Sequence, residues 1–409
     1  MLNRPINRWW NVVAGAIGAG LGAGPVISYS FGILGRSMIT DLGWDRAVVT
    51  SMITGFLIGS GIGSLALGWL IARYGIRAPT IVMVLVWGVC LASIAIMPPL
   101  PMLFVLVFLI GGVGGGAANA MPYAVSVSGF FDAHRGLALG LVVAGSGVGS
   151  FIFPQFAETL VERFGWRTAF ATIGLVSGLI PAAGLLFLVR TPPQTMTHGA
   201  APEAGGPKPP SIVETCLRSR HFWLIALPIL AISIAVFGAI GSYVFLFADR
   251  GIPVGTVTAI LSVAGLSSLM GRLLVGYLLD RIFAPIVTAV VFLLAATGIL
   301  LLALVPSTLT AFIAVPLIGL AIGAEADLLT FLISRYFSLR DFSRIVGIIW
   351  VIWAWGGGVG TVIMAKGYAL TGSYTLPFLF FASVVVLGAI LVCFIGPYRY
   401  PVHAKPNAG

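Results

Sequence analysis

The chain alternates between long apolar runs and short interruptions that carry its charged residues, prolines and glycines. A helix needs about 20 consecutive apolar residues to cross the hydrocarbon core of a bilayer. The runs therefore predict twelve membrane-spanning helices, which we number as spans one to twelve in chain order. Their predicted bounds are 9–33, 47–71, 79–97, 101–129, 137–160, 168–189, 221–247, 256–279, 284–305, 308–334, 343–365 and 376–395.

One interruption, between spans six and seven, is much longer than the others. It contains Thr191-Pro192-Pro193 and Gly205-Gly206-Pro207, shows no apolar periodicity, and has the composition of a linker. We therefore expect an all-α membrane protein with twelve transmembrane helices in two pseudo-symmetric six-helix bundles. The expected segments are a first bundle over 1–190, a cytoplasmic linker over 191–220, and a second bundle with a short cytoplasmic tail over 221–409.

The composition agrees with a lipid environment. Charged residues make up 8% of the chain and the mean hydropathy is +1.09, whereas soluble domains carry about 25% charged residues. The net charge of +10 does not indicate nucleic-acid binding, because the basic residues stand singly in loops and form no stripe. Cys90, Cys216 and Cys393 have neither disulfide nor metal-ligand spacing, so we expect no metal and no cofactor.

The loop charges predict how the protein lies in the membrane. With the N-terminus inside, fifteen Lys and Arg residues fall on the inner side and six on the outer side. The outer six are Arg36, Arg46, Arg163, Arg167, Arg250 and Lys366. Because cytoplasmic loops carry an excess of Lys and Arg, we expect a multi-pass protein of the cytoplasmic (inner) membrane with both termini in the cytoplasm. The first apolar run is too long for a signal-peptide core, so it should remain as span one.

The ends of spans two and eight carry similar loop signals. The corresponding residues are Gly68, Arg73, Gly75 and Arg77 in the first half, and Gly276, Asp280 and Arg281 in the second. Similar signals at matching places indicate an internal duplication. Parallel repeats of six helices are the plan of a large class of transporters, in which the substrate site lies between the halves.

These residues make the whole chain resemble the major facilitator superfamily. The loop signature of that superfamily is Gly-x-x-x-Asp-Arg-x-Gly-Arg-Arg. Four of its positions are matched here, by Gly68, Arg73, Gly75 and Arg77, whereas Ala72 stands at the Asp position. The second half keeps Gly276, Asp280 and Arg281 and lacks the rest. The resemblance implies the major facilitator fold and a role in gating for these loop residues.

Within that superfamily, the chain is similar to the branch of monocarboxylate transporters and oxalate/formate antiporters. The features that carry the similarity are Gly43-Trp44-Asp45-Arg46-Ala47 before span two, the glycine-rich run Gly111 to Gly116 in span four, the run Arg135 to Gly140 at the start of span five, and Arg272 in span eight. The similarity implies transport of small organic anions.

Arg272 is the strongest single feature of the sequence. A charge at the centre of a spanning helix costs about 2.5–3.5 kcal/mol on insertion scales. Arg272 precedes Asp280 by eight residues, about 12 Å of helix, which is too far for its side chain to reach the interface. A guanidinium binds a carboxylate through two parallel hydrogen bonds, and the resembled branch uses an arginine at this place for its substrate. The alternative is a structural ion pair with Glu325 or Asp327.

Glu325 and Asp327 are the acids that lie deep in a span, and they are candidates for proton coupling. Two residues apart on a helix is about 200°, so they cannot share a face. The sequence leaves open which one faces the cavity, and fixed ion pairing is the alternative for either. The resembled branch places an Asp one turn before its span-eight arginine; that position is Ser268 here, so the proton role would move to span ten.

Several neutral side chains are further candidates for substrate binding. Asn119 and Tyr123 on span four are separated by four residues and would share a helix face. Tyr29 in span one and Tyr243 in span seven are added because the resemblance implies that spans one, four, seven and ten line the cavity. The alternatives are hydrogen bonding between helices for Asn119 and interfacial anchoring for the tyrosines. Three tryptophans of span eleven, Trp350, Trp353 and Trp355, could shape a cavity wall, but packing is the favoured interpretation.

The sequence therefore predicts a secondary active transporter, and no enzyme, that moves small organic anions by alternating access. Proton-coupled monocarboxylate transport is the leading hypothesis, because one deep cation fits one carboxylate. The alternatives are an exporter or exchanger of a bulkier organic acid or dicarboxylate, and remotely a membrane-embedded enzyme. The expected partners are the carboxylate, protons and the lipid bilayer, with no nucleic acid and with function as a monomer.

Overall fold

The computed structural model describes residues 8–119, 122–123, 126–127, 135–189, 216–279, 281–337 and 342–399. In this part of the chain, ten helices are long and apolar enough to cross a membrane. One of them contains both spans five and six, divided at Gly165, and the shorter apolar helix of span four completes the predicted set of twelve. The prediction of an all-α protein with twelve spans is confirmed.

The helices of the twelve spans follow the order of the apolar runs. Their bounds are Trp9–Gly20 and Phe31–Leu42 in span one, Arg46–Tyr74 in span two, Arg77–Ser93 in span three, Pro101–Gly115 in span four, Arg135–Phe187 in spans five and six, Arg220–Ile240 in span seven, Val254–Leu279 in span eight, Ala284–Leu304 in span nine, Thr308–Tyr336 in span ten, Phe342–Thr371 in span eleven and Thr375–Cys393 in span twelve. A short helix, Tyr243–Asp249, follows span seven.

The connections between the spans are short, and residues in them end one helix or cap the next. Gly43, with φ 64°, ends span one in the left-handed conformation that glycine tolerates. Two residues later the Asp45 carboxylate accepts a hydrogen bond of 3.2 Å from the backbone N–H of Ala47 and caps span two. Gly165 turns the chain in the same way between spans five and six, with φ 78°. The loop expected over 161–167 is therefore almost entirely helical.

Spans one and seven, which open the two halves, are both interrupted. In span one a π-helical turn, Val26–Ser30, follows Pro25, whose ring nitrogen has no N–H to donate. Span seven ends at Ile240, earlier than predicted, and the chain turns before the next helix. After its own break span one continues to Leu42, so Arg36 lies inside a helix and its placement in an outer loop was wrong. Arg36 Nη1 is buried there and has no hydrogen-bond partner among the described residues.

The break in span one meets a break in span four. The helix of span four ends at Gly115, and the chain continues through turns to Asn119. The backbone N–H of Ala23 donates a hydrogen bond of 2.7 Å to the carbonyl of Ala118, so each interruption supplies a partner for the other. Backbone groups freed from a helix in a membrane need such partners.

Small residues allow the helices within each half to approach closely. In the second half, a Cβ atom added to Gly319 or Gly323 of span ten would collide with backbone carbonyls of Ala264 or Ser268 in span eight. Close backbone approach at small residues is the usual means of helix packing in membranes. This packing places Asp327 of span ten beside Arg272 of span eight.

Candidate functional site

The two halves touch near one end of the bundle. We call this end, where Asp249 lies, the Asp249 end, and the opposite end the Tyr398 end. Span two meets span eleven where Thr54 Oγ1 lies 2.6 Å from Thr361 Oγ1. Span five meets span eight where Gln155 Nε2 donates a hydrogen bond of 3.4 Å to Ser262 Oγ. Both pairs join residues of different halves.

Toward the Tyr398 end, span two separates from span eleven and span five separates from span eight, on the same helix faces that touch nearer the Asp249 end. Contacts between the halves continue to Gly61 and Ala354 on one side, and to Gly147 and Leu269 on the other. Seven residues, or nearly two turns, return a helix to the same face. The glycines seven residues farther toward the Tyr398 end have open space where a Cβ atom would stand: Gly68, Gly347, Gly140 and Gly276. A gap therefore opens between the halves toward that end.

Arg272 lies where this gap begins. It lies three residues after Leu269, which contacts Gly147 of the first half, and four residues before Gly276, whose face is open. It stands seven residues before the helix end at Leu279, about 10 Å along the axis. Its side chain keeps 21% of its surface exposed. A guanidinium at this depth and with this access can meet a small anion that enters the gap.

Asp327 is the acid that the structure brings to Arg272. Arg272 Nε lies 3.9 Å from Asp327 Oδ2, and 36% of the Asp327 side chain is exposed. The separation exceeds a hydrogen bond but keeps the two charges in attraction. Asp327 thus balances the charge of Arg272 without accepting a hydrogen bond from its Nε.

Glu325 points away from Arg272, as the angle of about 200° between positions two residues apart requires. It is 4% exposed and faces Trp353 of span eleven. Neither Glu325 Oε1 nor Trp353 Nε1 makes a hydrogen bond of standard geometry in the described part of the chain. Trp353 in turn packs against Phe237 and Trp350, with ring centroids 5.0 and 4.9 Å away. Glu325 therefore lies in an aromatic pocket that includes Trp350 and Trp353, for which the sequence favoured packing over a cavity wall.

Tyr29 and Tyr243 bring hydroxyl groups to the same region. The Tyr29 hydroxyl faces Ser268 and lies within the field of Arg272, and Tyr243 lies next to Tyr29. Both side chains are buried, and neither hydroxyl has a hydrogen-bond partner among the described residues. Buried hydroxyls normally find a partner. Two buried hydroxyls near Arg272 are therefore without a hydrogen-bond partner in the described part of the chain.

The structure places Asn119 and Tyr123 differently from expectation. Because the helix of span four ends at Gly115, the helical spacing that was to put them on one face does not apply. Asn119 Nδ2 donates a hydrogen bond of 2.8 Å to the carbonyl of Gly116. Tyr123 packs against Gly15 and Gly18 of span one, within the first half.

In the part of the chain that the structure describes, no group of three or more His, Cys, Asp or Glu side chains is placed to hold a metal ion.

The comparisons with known proteins agree with this architecture. The family model described as Major Facilitator Superfamily matches residues 12–361. The chain belongs to the Major Facilitator Superfamily. Two solved structures show the same fold. A mutant of the nucleoside transporter NupG has a TM-score of 0.74 at 13% identity and covers 95% of this chain and 100% of its own. A bacterial homolog of the human lysosomal transporter Spinster, in an inward-facing and occupied conformation, has a TM-score of 0.70 at 16% identity, with 96% and 97% covered.

Named relatives of this superfamily member include monocarboxylate transporters. Monocarboxylate transporter 13 of Bos taurus is 27% identical over 308 residues, which cover 75% of this chain and 68% of that protein. Monocarboxylate transporter 11 of Homo sapiens is 26% identical over 320 residues, covering 74% and 63%. The uncharacterized transporter YhjX of Escherichia coli (strain K12) is 23% identical over 358 residues, covering 86% and 81%. The chain is thus a secondary transporter with distant monocarboxylate-transporter homologues.

In this superfamily member, the loop motif after span two holds the first half together. Gly75, with φ 75°, ends span two, and Arg77 donates hydrogen bonds from Nε and Nη2 to the carbonyls of Leu185 and Leu186 at the end of span six. Arg73 lies over the rings of its neighbours Trp69 and Tyr74.

The equivalent motif after span eight is less complete. The Arg281 guanidinium lies over the Tyr277 ring at 3.7 Å, and Gly276 faces open space. Asp280 lies outside the described residues.

Sequence reasoning missed one pair that joins the two halves of the transporter. Arg46 at the start of span two binds Asp249, 203 residues away. Arg46 was visible as part of the Gly-Trp-Asp-Arg-Ala run, but nothing in one sequence identifies its partner. The position of Asp249 after an apolar run was the available signal for its placement at that end.

Proposed function

We propose that the protein is a proton-coupled carrier of small organic monoanions, of the monocarboxylate class, that works by alternating access. The observation that carries this proposal is the pair of Arg272 and Asp327, 3.9 Å apart at the point where the halves separate. Charged residues this deep in a membrane are retained for function. Here they combine a site for a carboxylate with a site for a proton.

Arg272 would bind the substrate carboxylate through two parallel hydrogen bonds. The hydroxyls of Tyr29 and Tyr243, which have no partner in the described structure, would donate to the same anion. A single carboxylate suits this set of donors. Lys366, the lysine of span eleven, is exposed and lies near the Asp249 end, so it adds no second cation at the depth of Arg272. The arrangement favours monocarboxylates over dicarboxylates.

Asp327 would carry the coupled proton. While it is ionised, it competes with the substrate for Arg272, and protonation removes that competition. The incoming carboxylate then replaces the charge that the proton neutralised, so the site has the same net charge before and after loading. Glu325, buried beside Trp353, would hold spans ten and eleven together instead. This division of roles is our proposal for the choice that the sequence left open.

The halves would move as two bodies, 1–190 and 221–409, joined by the linker 191–220. The excess of Lys and Arg in the loops of the Tyr398 end supports a cytoplasmic position for that end and for both termini. The gap at Arg272 would then face the cytoplasm. The names of the monocarboxylate-transporter relatives support the same substrate class.

Uptake into liposomes tests this function. The purified protein is reconstituted, and labelled monocarboxylates of two to eight carbons, aromatic acids and dicarboxylates are offered with and without a proton gradient. We expect accumulation of at least one small monocarboxylate that stops when a protonophore collapses the gradient. Arg167, which donates to backbone carbonyls at the end of span three, provides a matched Arg→Lys control for Arg272. Gradient-independent transport of dicarboxylates or bulky acids alone would contradict the proposal.

A further inference from the structure

Arg46 and Asp249 form an ion pair that bridges the two halves at the Asp249 end. Arg46 Nη1 lies 2.5 Å from Asp249 Oδ2, and Nη2 lies 2.6 Å from Oδ1. Two parallel charge-assisted hydrogen bonds make this the strongest class of polar contact between side chains. Arg46 begins span two in the first half, and Asp249 ends the helix that follows span seven in the second.

Aromatic side chains of the second half surround the pair. Arg46 Nη1 donates a further hydrogen bond of 2.9 Å to the Tyr374 hydroxyl. The guanidinium lies over the rings of Phe245 and Tyr368, at 5.5 and 5.3 Å from their centroids. Both tyrosine hydroxyls also lie 3.4 Å from Asp249 Oδ2 and donate to it. One arginine of the first half is therefore held by four residues of the second.

The pair lies farther toward the Asp249 end than the contact between Thr54 and Thr361. From Arg46, two turns along span two lead to Thr54, which meets Thr361 of span eleven. The ring contacts and the ion pair thus continue one closed face from mid-membrane to the surface. Opening a path to Arg272 from the Asp249 end requires that Arg46 separate from Asp249.

We propose that the Arg46–Asp249 pair is the gate residue pair of this end: it sets the equilibrium between the conformation closed here and the conformation open here. The proposal does not depend on which substrate is carried. Its geometry suits a reversible contact, because the two side chains keep 35% and 33% of their surface exposed. Water can therefore solvate both charges when they part, whereas a fully buried pair would be costly to break.

Accessibility of Thr361, which is 1% exposed between the halves, reports this equilibrium. A Thr361→Cys variant lacking the native cysteines is purified in detergent, and its alkylation by a maleimide is timed. Asp249→Asn and Arg46→Gln should each raise the rate about two- to fivefold, the change expected of a partly exposed, well-oriented ion pair. Asp41→Asn is the matched control, because Asp41 accepts its 2.9 Å hydrogen bond from Trp166 within the first half at the same end. Its rate should not change.

A second measurement replaces the ion pair by a reversible covalent link in an Arg46→Cys, Asp249→Cys double variant. Cysteines at positions 46 and 249 are joined by a short reducible cross-linker in reconstituted protein, and counterflow of a transported carboxylate is measured before and after reduction. We expect transport to stop on cross-linking and to return on reduction. Undiminished transport by the cross-linked protein, or alkylation rates in Asp249→Asn and Arg46→Gln equal to that of the parent, would overturn the proposal. Failure to find any transported carboxylate would count against the proposed function alone, because alkylation needs no substrate.

Discussion

Arg272 Nε and Asp327 Oδ2 face each other across spans eight and ten at 3.9 Å, close enough to attract and too far apart to hydrogen-bond. A structural ion pair would be expected to close to about 2.7–2.9 Å. The wider separation leaves the donors of Arg272 available to a second carboxylate. Static charge neutralisation and substrate binding are therefore compatible at the same arginine.

Replacing Arg272 by lysine should impair carboxylate transport although the charge is kept. A lysine offers a point charge in place of two parallel donors, so we expect kcat/KM for uptake to fall by at least about tenfold. Initial uptake rates in liposomes over a range of substrate concentrations measure this. Arg167→Lys, at an arginine that serves backbone carbonyls, should retain normal uptake. Equal kinetics in both variants would exclude carboxylate binding by Arg272.

Asp327→Asn and Glu325→Gln should separate the two acids of span ten. Asn at position 327 cannot take up a proton, so uptake should lose its stimulation by a proton gradient, while exchange of labelled for unlabelled carboxylate continues. Gln at position 325 should keep the stimulation, because Glu325 faces Trp353 and not Arg272. The ratio of uptake with and without the gradient is measured for each variant. Loss of stimulation in Glu325→Gln with its retention in Asp327→Asn would reverse the assignment.

Gly323→Ala should disturb the site from a distance. The added Cβ would collide with the carbonyl of Ser268, so spans eight and ten must move apart at the level of Arg272 and Asp327. Overpacking of this kind costs about 1–3 kcal/mol, and we expect a lower midpoint of thermal unfolding together with reduced uptake. Gly184→Ala is the control, because a Cβ there makes only an ordinary van der Waals contact, 3.7 Å from Ala14 of the same half. An unchanged midpoint and rate in Gly323→Ala would show that the close contact is not needed.

The Arg46–Asp249 pair should not respond to pH in the range in which transport is measured. The hydrogen bonds that Arg46 donates, together with its charge and the hydroxyls of Tyr368 and Tyr374, hold the pKa of Asp249 below its ordinary value of 3.8. A depressed carboxyl pKa means that the contact is fully present above the ordinary value and is lost as pH falls through the lowered one. The pair therefore remains intact from pH 5 to pH 8.

Spin labels on Thr40→Cys and Ala369→Cys, which lie on exposed positions of different halves, measure this directly. The distance distribution between the labels should be constant from pH 8 to pH 5. It should broaden to longer distances only when the pH falls below about 4. A lengthening between pH 7 and pH 5 would mean that Asp249 titrates in that range, contrary to its environment.

The fold could be predicted largely from composition. The spans were readable because a bilayer demands an unbroken apolar stretch for every crossing, and Arg272 was readable because a charge in such a stretch is costly. The interruptions of spans one and four were not readable. The donation from Ala23 to Ala118 that compensates for them joins distant parts of the chain.

The same limit applied to the candidate site. Helical spacing showed that Glu325 and Asp327 face different directions. Which of the two faces Arg272 depends on how span ten packs against span eight at Gly319 and Gly323. Spacing failed for Asn119 and Tyr123, because it assumes a continuous helix and the helix had already ended at Gly115. Pair assignments across halves need three-dimensional contacts.

Proton movement driven by the carboxylate tests the central claim most directly. Liposomes containing the protein and a trapped pH dye receive a transported monocarboxylate outside, with no initial pH gradient. The account predicts acidification of the interior in step with carboxylate uptake, absent in Asp327→Asn and preserved in Glu325→Gln. Carboxylate uptake by the wild-type protein with no change in internal pH would contradict it.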